Sequence, residues 1–184
     1  SETIQIAIDD THRFGTDAFL LEHFAAVRGI DTVCDLCAGC GIIGLLMLRR
    51  ERPPQSVTAV EIAPDPVELM RHTAEISSLT HFAPLRGDLR EIRTLLPAHS
   101  FRLVTCNPPY FPAGSGYLCP EDSRRRARHE QKESCTTGEV CDAAAWLLQY
   151  GGRFCLCQRP ERLTDVLLAM RQAGLEPKRL RWVQ

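Results

Sequence analysis

Residues 107–110 read Asn107-Pro108-Pro109-Tyr110, and this tetrapeptide is the most chemically specific stretch of the chain. A residue before proline is pushed toward extended backbone, and each proline fixes its own φ. At the end of a strand, such a stiff segment can aim two acceptors into a cleft: the Asn107 side-chain oxygen and the Pro108 carbonyl. An exocyclic amine offers two hydrogens to that pair. Its lone pair is delocalised into the attached ring or carbonyl, which makes it a poor nucleophile. Two acceptors favour the transition state in which positive charge grows on nitrogen, and they point that nitrogen at the group to be received. No general base is needed, and the motif contains none. Tyr110 adds a ring on which a planar base or amide can stack.

A second cluster precedes it. Asp35-Leu36-Cys37-Ala38-Gly39-Cys40-Gly41-Ile42-Ile43-Gly44 lies at a strand-to-helix junction, with Gly39, Gly41 and Gly44 in Gly-x-Gly-x-x-Gly form. Glycines there let backbone approach a ligand and turn sharply into the helix. Glu61, with Ile62 after it, ends the following strand at the spacing where an acid takes ribose hydroxyls. Asp88, followed by Leu89, comes after a third strand, where an acid can reach an adenine amine. On pattern alone a dinucleotide stays open, as does a role for the glycines in packing only. Asp88 can equally cap the helix that starts at Leu89.

These residues need a frame that alternates strand and helix. Apolar spacing predicts a helix over 17–28 containing Phe19, Leu20, Phe24 and Val27, then a strand at 32–36 and a helix at 42–50. A strand at 56–62 and a helix from Pro64 to about residue 79 follow, with Pro64 and Pro66 suited to a first turn. A weak strand at 83–86 leads to a short helix ending near residue 96, and 101–106 is a strand that runs into Asn107. Residues 111–135 form one long irregular stretch. Beyond it we expect a helix at 138–150, strands at 152–158 and 179–183, and between them a helix at 161–173. The pattern predicts an α/β fold with a doubly wound, mostly parallel sheet. The 184 residues suit one domain, with an N-terminal segment and helix over 1–30 and a core over 31–184.

Composition excludes more than it assigns. A net charge of −1 gives no global case for nucleic acid. No apolar run is long enough for a membrane span, and the first residues lack a signal-peptide pattern, so a cytoplasmic location is expected. Local basic groups exist: Arg124, Arg125, Arg126, Arg128 and Lys132 in the long loop, and Lys178, Arg179 and Arg181 near the end. The first group is partly offset by Glu121, Asp122, Glu130 and Glu133, and reads either as a phosphate-contacting surface or as a solvated loop. Among nine cysteines, Cys34, Cys37 and Cys40 have a spacing formally like an iron–sulfur run. No fourth ligand follows at short range, and Cys34 falls in an apolar strand, so no metal is expected.

Taken in order, these residues resemble the class I S-adenosylmethionine-dependent methyltransferases with an Asn-Pro-Pro-Tyr motif. Within that group the chain is most similar to the bacterial tRNA adenine-N6 methyltransferases. Arg13-Phe14-Gly15-Thr16-Asp17-Ala18, the Asp35–Ile43 stretch, Asn107-Pro108-Pro109-Tyr110-Phe111 and Ala127-Arg128-His129-Glu130 carry the closer match. The resemblance implies an S-adenosylmethionine pocket from Asp35, Cys37, Gly39, Gly41, Glu61, Ile62, Asp88, Leu89 and Asn107, with Asn107 to Tyr110 on the target base. Phe14, Asp17 and Phe111 would lie at the mouth of the site, and tRNA would be the partner, with no obligate protein partner implied. The group's usual glycine after the strand acid is Cys37 here, acceptable if φ is negative. The family fold closes with a strand hairpin whose first arm would be 179–183, so the hairpin is expected to be incomplete at Gln184, and a segment before Ser1 is expected to be absent. Two rivals stand beside this reading. One is a protein glutamine-N5 methyltransferase, which needs the same acceptor pair. The other is an inactive cofactor- or RNA-binding domain, which has no need of the Asn107 geometry.

Overall fold

The computed structural model describes residues 4–9, 14–108 and 135–183. Its elements in chain order are α1 (Thr16–Ala25), β1 (Thr32–Leu36), α2 (Ile42–Leu48), β2 (Ser56–Glu61), α3 (Pro64–Ile76), β3 (Phe82–Arg86), a 3₁₀ turn (Leu89–Glu91), α4 (Ile92–Leu95) and β4 (Phe101–Cys106). Then come α5 (Thr137–Leu147), β5 (Leu148–Leu156), a second 3₁₀ turn (Pro160–Arg162) and α6 (Leu163–Gln172). Five strands form one sheet in the order β3-β2-β1-β4-β5, and every neighbouring pair is parallel. The expected α/β doubly wound fold is therefore the one observed.

Parallel strands need both faces covered, and the sequence supplies apolar residues of both parities. In β1, Val33 packs with α1, α2 and α3 residues such as Leu21, Leu45 and Met70. Its neighbours Cys34 and Leu36 pack on the other face with Ile92, Val140, Ala144 and Leu147 from α4 and α5. Strand β4 repeats the alternation, with Leu103 on the first face and Val104 and Cys106 on the second. Helix α6 lies against α5. Cys34 and Cys40 thus pack into clusters on opposite faces of the sheet.

The strand order has a functional consequence. From β1 the chain moves outward through β2 to β3, then returns to the other side of β1 as β4. The reversal between β1 and β4 leaves a crevice beyond their carboxyl ends, where ligands bind in open α/β sheets. The glycine turn follows β1, and Asn107 follows β4.

Helix α1 must be held firmly, since its first turn reaches that crevice. Arg153 of β5 does part of this: one guanidinium nitrogen donates to the Ala25 carbonyl at 2.7 Å, and the other meets the buried Asp31 carboxylate at 2.5 Å. Asp31 also accepts from the Arg28 amide at 2.8 Å. At α1's middle, Glu22 takes both Nε and Nη2 of Arg50 from the end of α2.

The structure departs from the sequence expectations mainly at element ends. The helix expected over 138–150 stops at Leu147, and β5 starts at once. Its register against β4 shifts between Phe101 and Leu103, and at this irregularity Tyr150 is fully exposed and Gly151 takes φ +74°. The strand expected at 179–183 does not form. Those residues are exposed and irregular, with Leu180, Trp182 and Val183 each more than half exposed. A strand needs a neighbour for its backbone donors and acceptors, and none lies beside this segment among the described residues. No helix among the described residues is long and apolar enough to cross a membrane.

Candidate active site

Asp35 lies in the fully buried part of β1, one residue before the strand ends. It is wholly inaccessible to solvent, and its register partner across β1 and β4 is Thr105. The Thr105 hydroxyl donates to Oδ1 at 2.6 Å, while Oδ2 has no hydrogen-bond partner among the described residues. Burial pushes this carboxyl up to about 7; the Thr105 bond opposes the rise and the Glu61 charge adds to it. An orphaned buried oxygen beside a crevice is a place for a ligand donor, because leaving it unpaired is costly. The raised value also fixes a sign. The fold favours the protonated form, so its stabilising effect is full at acid pH and is lost as pH rises through about 7. We expect the ligand-free chain to lose roughly a few kcal/mol between pH 5 and 8, relative to an Asp35→Asn variant. Parallel pH profiles of thermal unfolding for the two proteins would refute it.

The turn after β1 is built from left-handed residues: Cys37 at φ +54°, Gly39 at +56° and Gly41 at +77°. The condition on which Cys37 is acceptable in place of glycine, a negative φ, is therefore not met. A side chain there carries the strain that glycine avoids, about 1–2 kcal/mol. The turn is closed by the Ala38 amide on the Val60 carbonyl at 3.1 Å and the Gly41 amide on the Ala38 carbonyl at 2.8 Å. Glu61, at the end of β2, braces it. One carboxylate oxygen accepts from the Gly39 amide at 2.9 Å and the other from the Ala63 amide at 3.0 Å.

The three glycines have different work. A Cβ on Gly39 would meet nothing within 4 Å, so this residue faces open space. On Gly41 it would fall 2.8 Å from both Met70 Sδ and Phe82 Cζ, and on Gly44 2.6 Å from Val57 Cγ1. Gly41 and Gly44 therefore allow helix α2 to approach the sheet and α3, while Gly39 leaves room for a ligand. We expect Gly41→Ala to lower unfolding free energy by about 2–4 kcal/mol, from left-handed strain plus overpacking. Gly39→Ala should lose only the strain, about 1–2 kcal/mol. Equal losses in denaturant unfolding would contradict this division.

Asn107 stands at the end of β4. Its Nδ2 donates to Asp17 Oδ2 at 2.8 Å, reaching the first turn of α1. A carboxylate only accepts, so this contact sets which end of the amide is nitrogen and places Oδ1 on the opposite side. Asp17, expected as a substrate contact at the mouth, is first of all the residue that orients Asn107. Phe14 lies three residues earlier, partly exposed, with its ring 6.0 Å from that of Phe19. Pro108 is buried beside Asn107. Pro109, Tyr110, Phe111, Arg124, Arg125, Arg126 and Arg128 lie outside the described residues.

Asp88 follows β3 and does what its alternative reading required: Oδ1 accepts from the Arg90 amide at 2.9 Å and caps the 3₁₀ turn. Arg90 also brings its guanidinium onto both carboxylate oxygens, which holds Asp88 below the usual carboxylate range. Ile62 is partly exposed beyond Glu61, whereas Leu89 is buried with Leu36 and Ile92. Three partners escaped the sequence reading: Thr105 on Asp35, Arg90 on Asp88, and Cys135, whose sulfur lies 3.7 Å from that of Cys37. None has a motif: Thr105 arises from strand register, Cys135 from the return of the chain, and Arg90 from the local turn that Asp88 caps. Among the described residues, no group of three or more His, Cys, Asp and Glu side chains is set to hold a metal ion.

Away from the crevice, Lys178, Arg179 and Arg181 line an open groove of about 530 Å³ with His23 and Phe24. The Arg179 guanidinium lies 4.7 Å above the Phe24 ring.

Comparison with known proteins shows the family and the fold. The model of the methyltransferase small domain matches residues 10–117. A tRNA1(Val) (adenine(37)-N6)-methyltransferase of Tolumonas auensis is 30% identical over 88% of the chain and 65% of its own length. A relative of the same name from Erwinia tasmaniensis is 30% identical over 78% of the chain and 57% of its own. The chain thus spans about three fifths of the length of such curated relatives. Among solved structures, TrmN from Thermus thermophilus superposes with TM-score 0.59 at 24% identity over 87% of the chain and 40% of its own. A precorrin-6y C5,15-methyltransferase from Geobacter metallireducens superposes with TM-score 0.62 at 14% identity, covering 94% and 79%. With the matched model running from the entry to α1 to beyond Asn107, the chain belongs to the methyltransferase small domain family.

Proposed function

We propose that the chain transfers a methyl group from S-adenosylmethionine to the N6 amine of an adenine in tRNA, in the cytoplasm. The observation that carries this reading is the Asn107 amide, fixed by Asp17 across the crevice from the acid-braced glycine turn. The residues fit the cofactor: a buried Asp35 oxygen lacks a partner, Gly39 faces open space, and both Glu61 oxygens keep lone pairs for hydroxyl donors. Asp35, Gly39, Glu61 and Asp88 would hold it, with Ile62 along the adenosine. Bound there, the cofactor supplies an electrophilic methyl on a sulfonium.

The chain's own residues supply position and charge stabilisation. Asn107 Oδ1 and the Pro108 carbonyl accept the two amine hydrogens, which draws the nitrogen lone pair out of conjugation. Positive charge on that nitrogen then strengthens both bonds. The surplus proton remains hydrogen-bonded to Asn107 Oδ1 until water takes it. Asp17 keeps the amide from flipping its donor end toward the amine, and its negative charge lies near the developing positive one.

The relatives named for adenine 37 favour RNA over a glutamine side chain. Lys178, Arg179 and Arg181 offer cations for phosphates. Reversing Arg179 and Arg181 to Glu is expected to weaken tRNA binding and flatten its salt dependence by roughly 1 per lost contact. An unchanged slope would remove the groove from the interface.

The deciding experiment is methyl transfer from labelled S-adenosylmethionine to unmodified bulk tRNA, followed by nucleoside analysis. The expected product is N6-methyladenosine. Cofactor binding without transfer to RNA overturns the substrate, and label on a protein glutamine would replace it.

A further inference from the structure

Eight of the cysteines lie among the described residues, and two of them stand out by position. Cys37 and Cys135 are 98 residues apart in sequence, yet their sulfurs lie 3.7 Å apart, with both residues only half-buried. Cys37 belongs to the glycine turn, between Asp35 and Gly39. Cys135 directly precedes the capping box of α5, in which Thr136 Oγ1 accepts from the Glu139 amide and Glu139 Oε2 accepts from the Thr136 amide. Neither thiol has a part in the methyl-transfer chemistry.

We propose that Cys37 and Cys135 are an oxidisable dithiol site, and that their disulfide weakens cofactor binding by pulling the glycine turn out of shape. The second half rests on the reading of that turn as the cofactor site. The co-reactant is a peroxide. One thiolate attacks the O–O bond, giving a sulfenic acid and a hydroxide that takes a proton to become water. The other thiolate then displaces hydroxide from the sulfenic sulfur. Two thiols lose two electrons and two protons, and the peroxide becomes two waters.

The direction of movement follows from what anchors each end. A disulfide needs sulfurs about 2.05 Å apart, so the pair must close by ~1.7 Å. Cys135 is tied to an eleven-residue helix whose Val140, Cys141, Ala143, Ala144 and Leu147 are buried. Cys37 sits in a left-handed conformation, strained for a residue with a side chain, in a turn rather than in a packed helix or strand. The movement therefore falls on the turn, and it carries the Gly39 amide away from its 2.9 Å bond to Glu61. Cys106, which also contacts Cys37, is wholly buried and out of reach of a solute oxidant. The neighbouring thiols and burial hold both Cys37 and Cys135 above the usual thiol range, so the site responds to sustained oxidant rather than to a brief pulse.

The test uses the full chain, fully reduced and then incubated with hydrogen peroxide at pH 8. Non-reducing peptide mapping should find a Cys37–Cys135 link and a loss of two of the nine thiols. The dissociation constant for S-adenosylmethionine, by calorimetry, should rise at least tenfold and return on treatment with dithiothreitol. Cys135→Ser should bind as the reduced chain does, before and after peroxide. No link, or a Cys37–Cys106 link, overturns the site. A mapped link with unaltered affinity, or peroxide-sensitive affinity in Cys135→Ser, overturns the consequence. If the reduced chain itself fails to bind S-adenosylmethionine, the cofactor reading fails, and the mapped link stands or falls separately.

Discussion

Replacing Asn107 with alanine is expected to lower the methyl-transfer kcat by about 10²–10³-fold, the loss typical of removing one preorganised hydrogen-bond partner from a site of developing charge. The bonds from Asn107 Oδ1 to the amine strengthen as nitrogen becomes positive, so the loss belongs to the transition state and appears in kcat and kcat/KM together. Affinity for S-adenosylmethionine should stay within about threefold, since Asp35, the turn and Glu61 are untouched. Asp17→Ala tests the same geometry from behind. It leaves Asn107 in place and removes the 2.8 Å contact that orients its amide. The expected loss is smaller, about tenfold, because a freed amide still adopts the productive orientation part of the time. Single-turnover rates with saturating cofactor would read both. An Asn107→Ala enzyme with normal turnover would end the proposed role, and so would a variant whose cofactor affinity falls as far as its rate.

The sheet was legible because each strand carries its own signal. The run at 56–61 is β-branched and ends in an acid, and Asn107-Pro108-Pro109 stops β4 where the sequence says it should. Strand order was not written in any one segment, but alternating strands and helices leave few arrangements once crossovers are right-handed. What failed depended on partners. Residues 179–183 have strand-like residues and no strand beside them among the described residues, and β5 gained four residues at its start because β4 lay there to pair with. The candidate site divides the same way. Asp35, Glu61 and Asn107 stand at strand ends, where type and spacing announce them. Thr105 was invisible because nothing in its neighbourhood says that it sits opposite Asp35. The glycines were recognised but not told apart: only the positions of Met70, Phe82 and Val57 reveal which of the three is kept for a ligand. Cys37 reads as a departure from a glycine, and the structure shows that the backbone kept the glycine's conformation.

Glu61→Ala should raise the dissociation constant for S-adenosylmethionine by about 100-fold or more, close to 3 kcal/mol. Two losses combine. The carboxylate's bonds to ribose hydroxyls are charge-assisted, each contributing about 1.5–3 kcal/mol. The Gly39 and Ala63 amides also lose their acceptor, so the turn that must receive the cofactor is less well formed before it binds. Glu61→Gln separates these. Its single oxygen can serve only one of the two amides, while its nitrogen faces the other, and it brings no charge to the hydroxyls. The order of affinity should therefore be wild type, then Gln, then Ala. Thermal unfolding without cofactor supplies the control, because a pure brace would lower stability in the same order and leave the affinity of the remaining folded protein intact. A fall in melting temperature with an unaltered dissociation constant would make Glu61 a support of the turn and take the ribose from it. A fall in affinity larger than the change in stability accounts for would place the carboxylate on the cofactor itself.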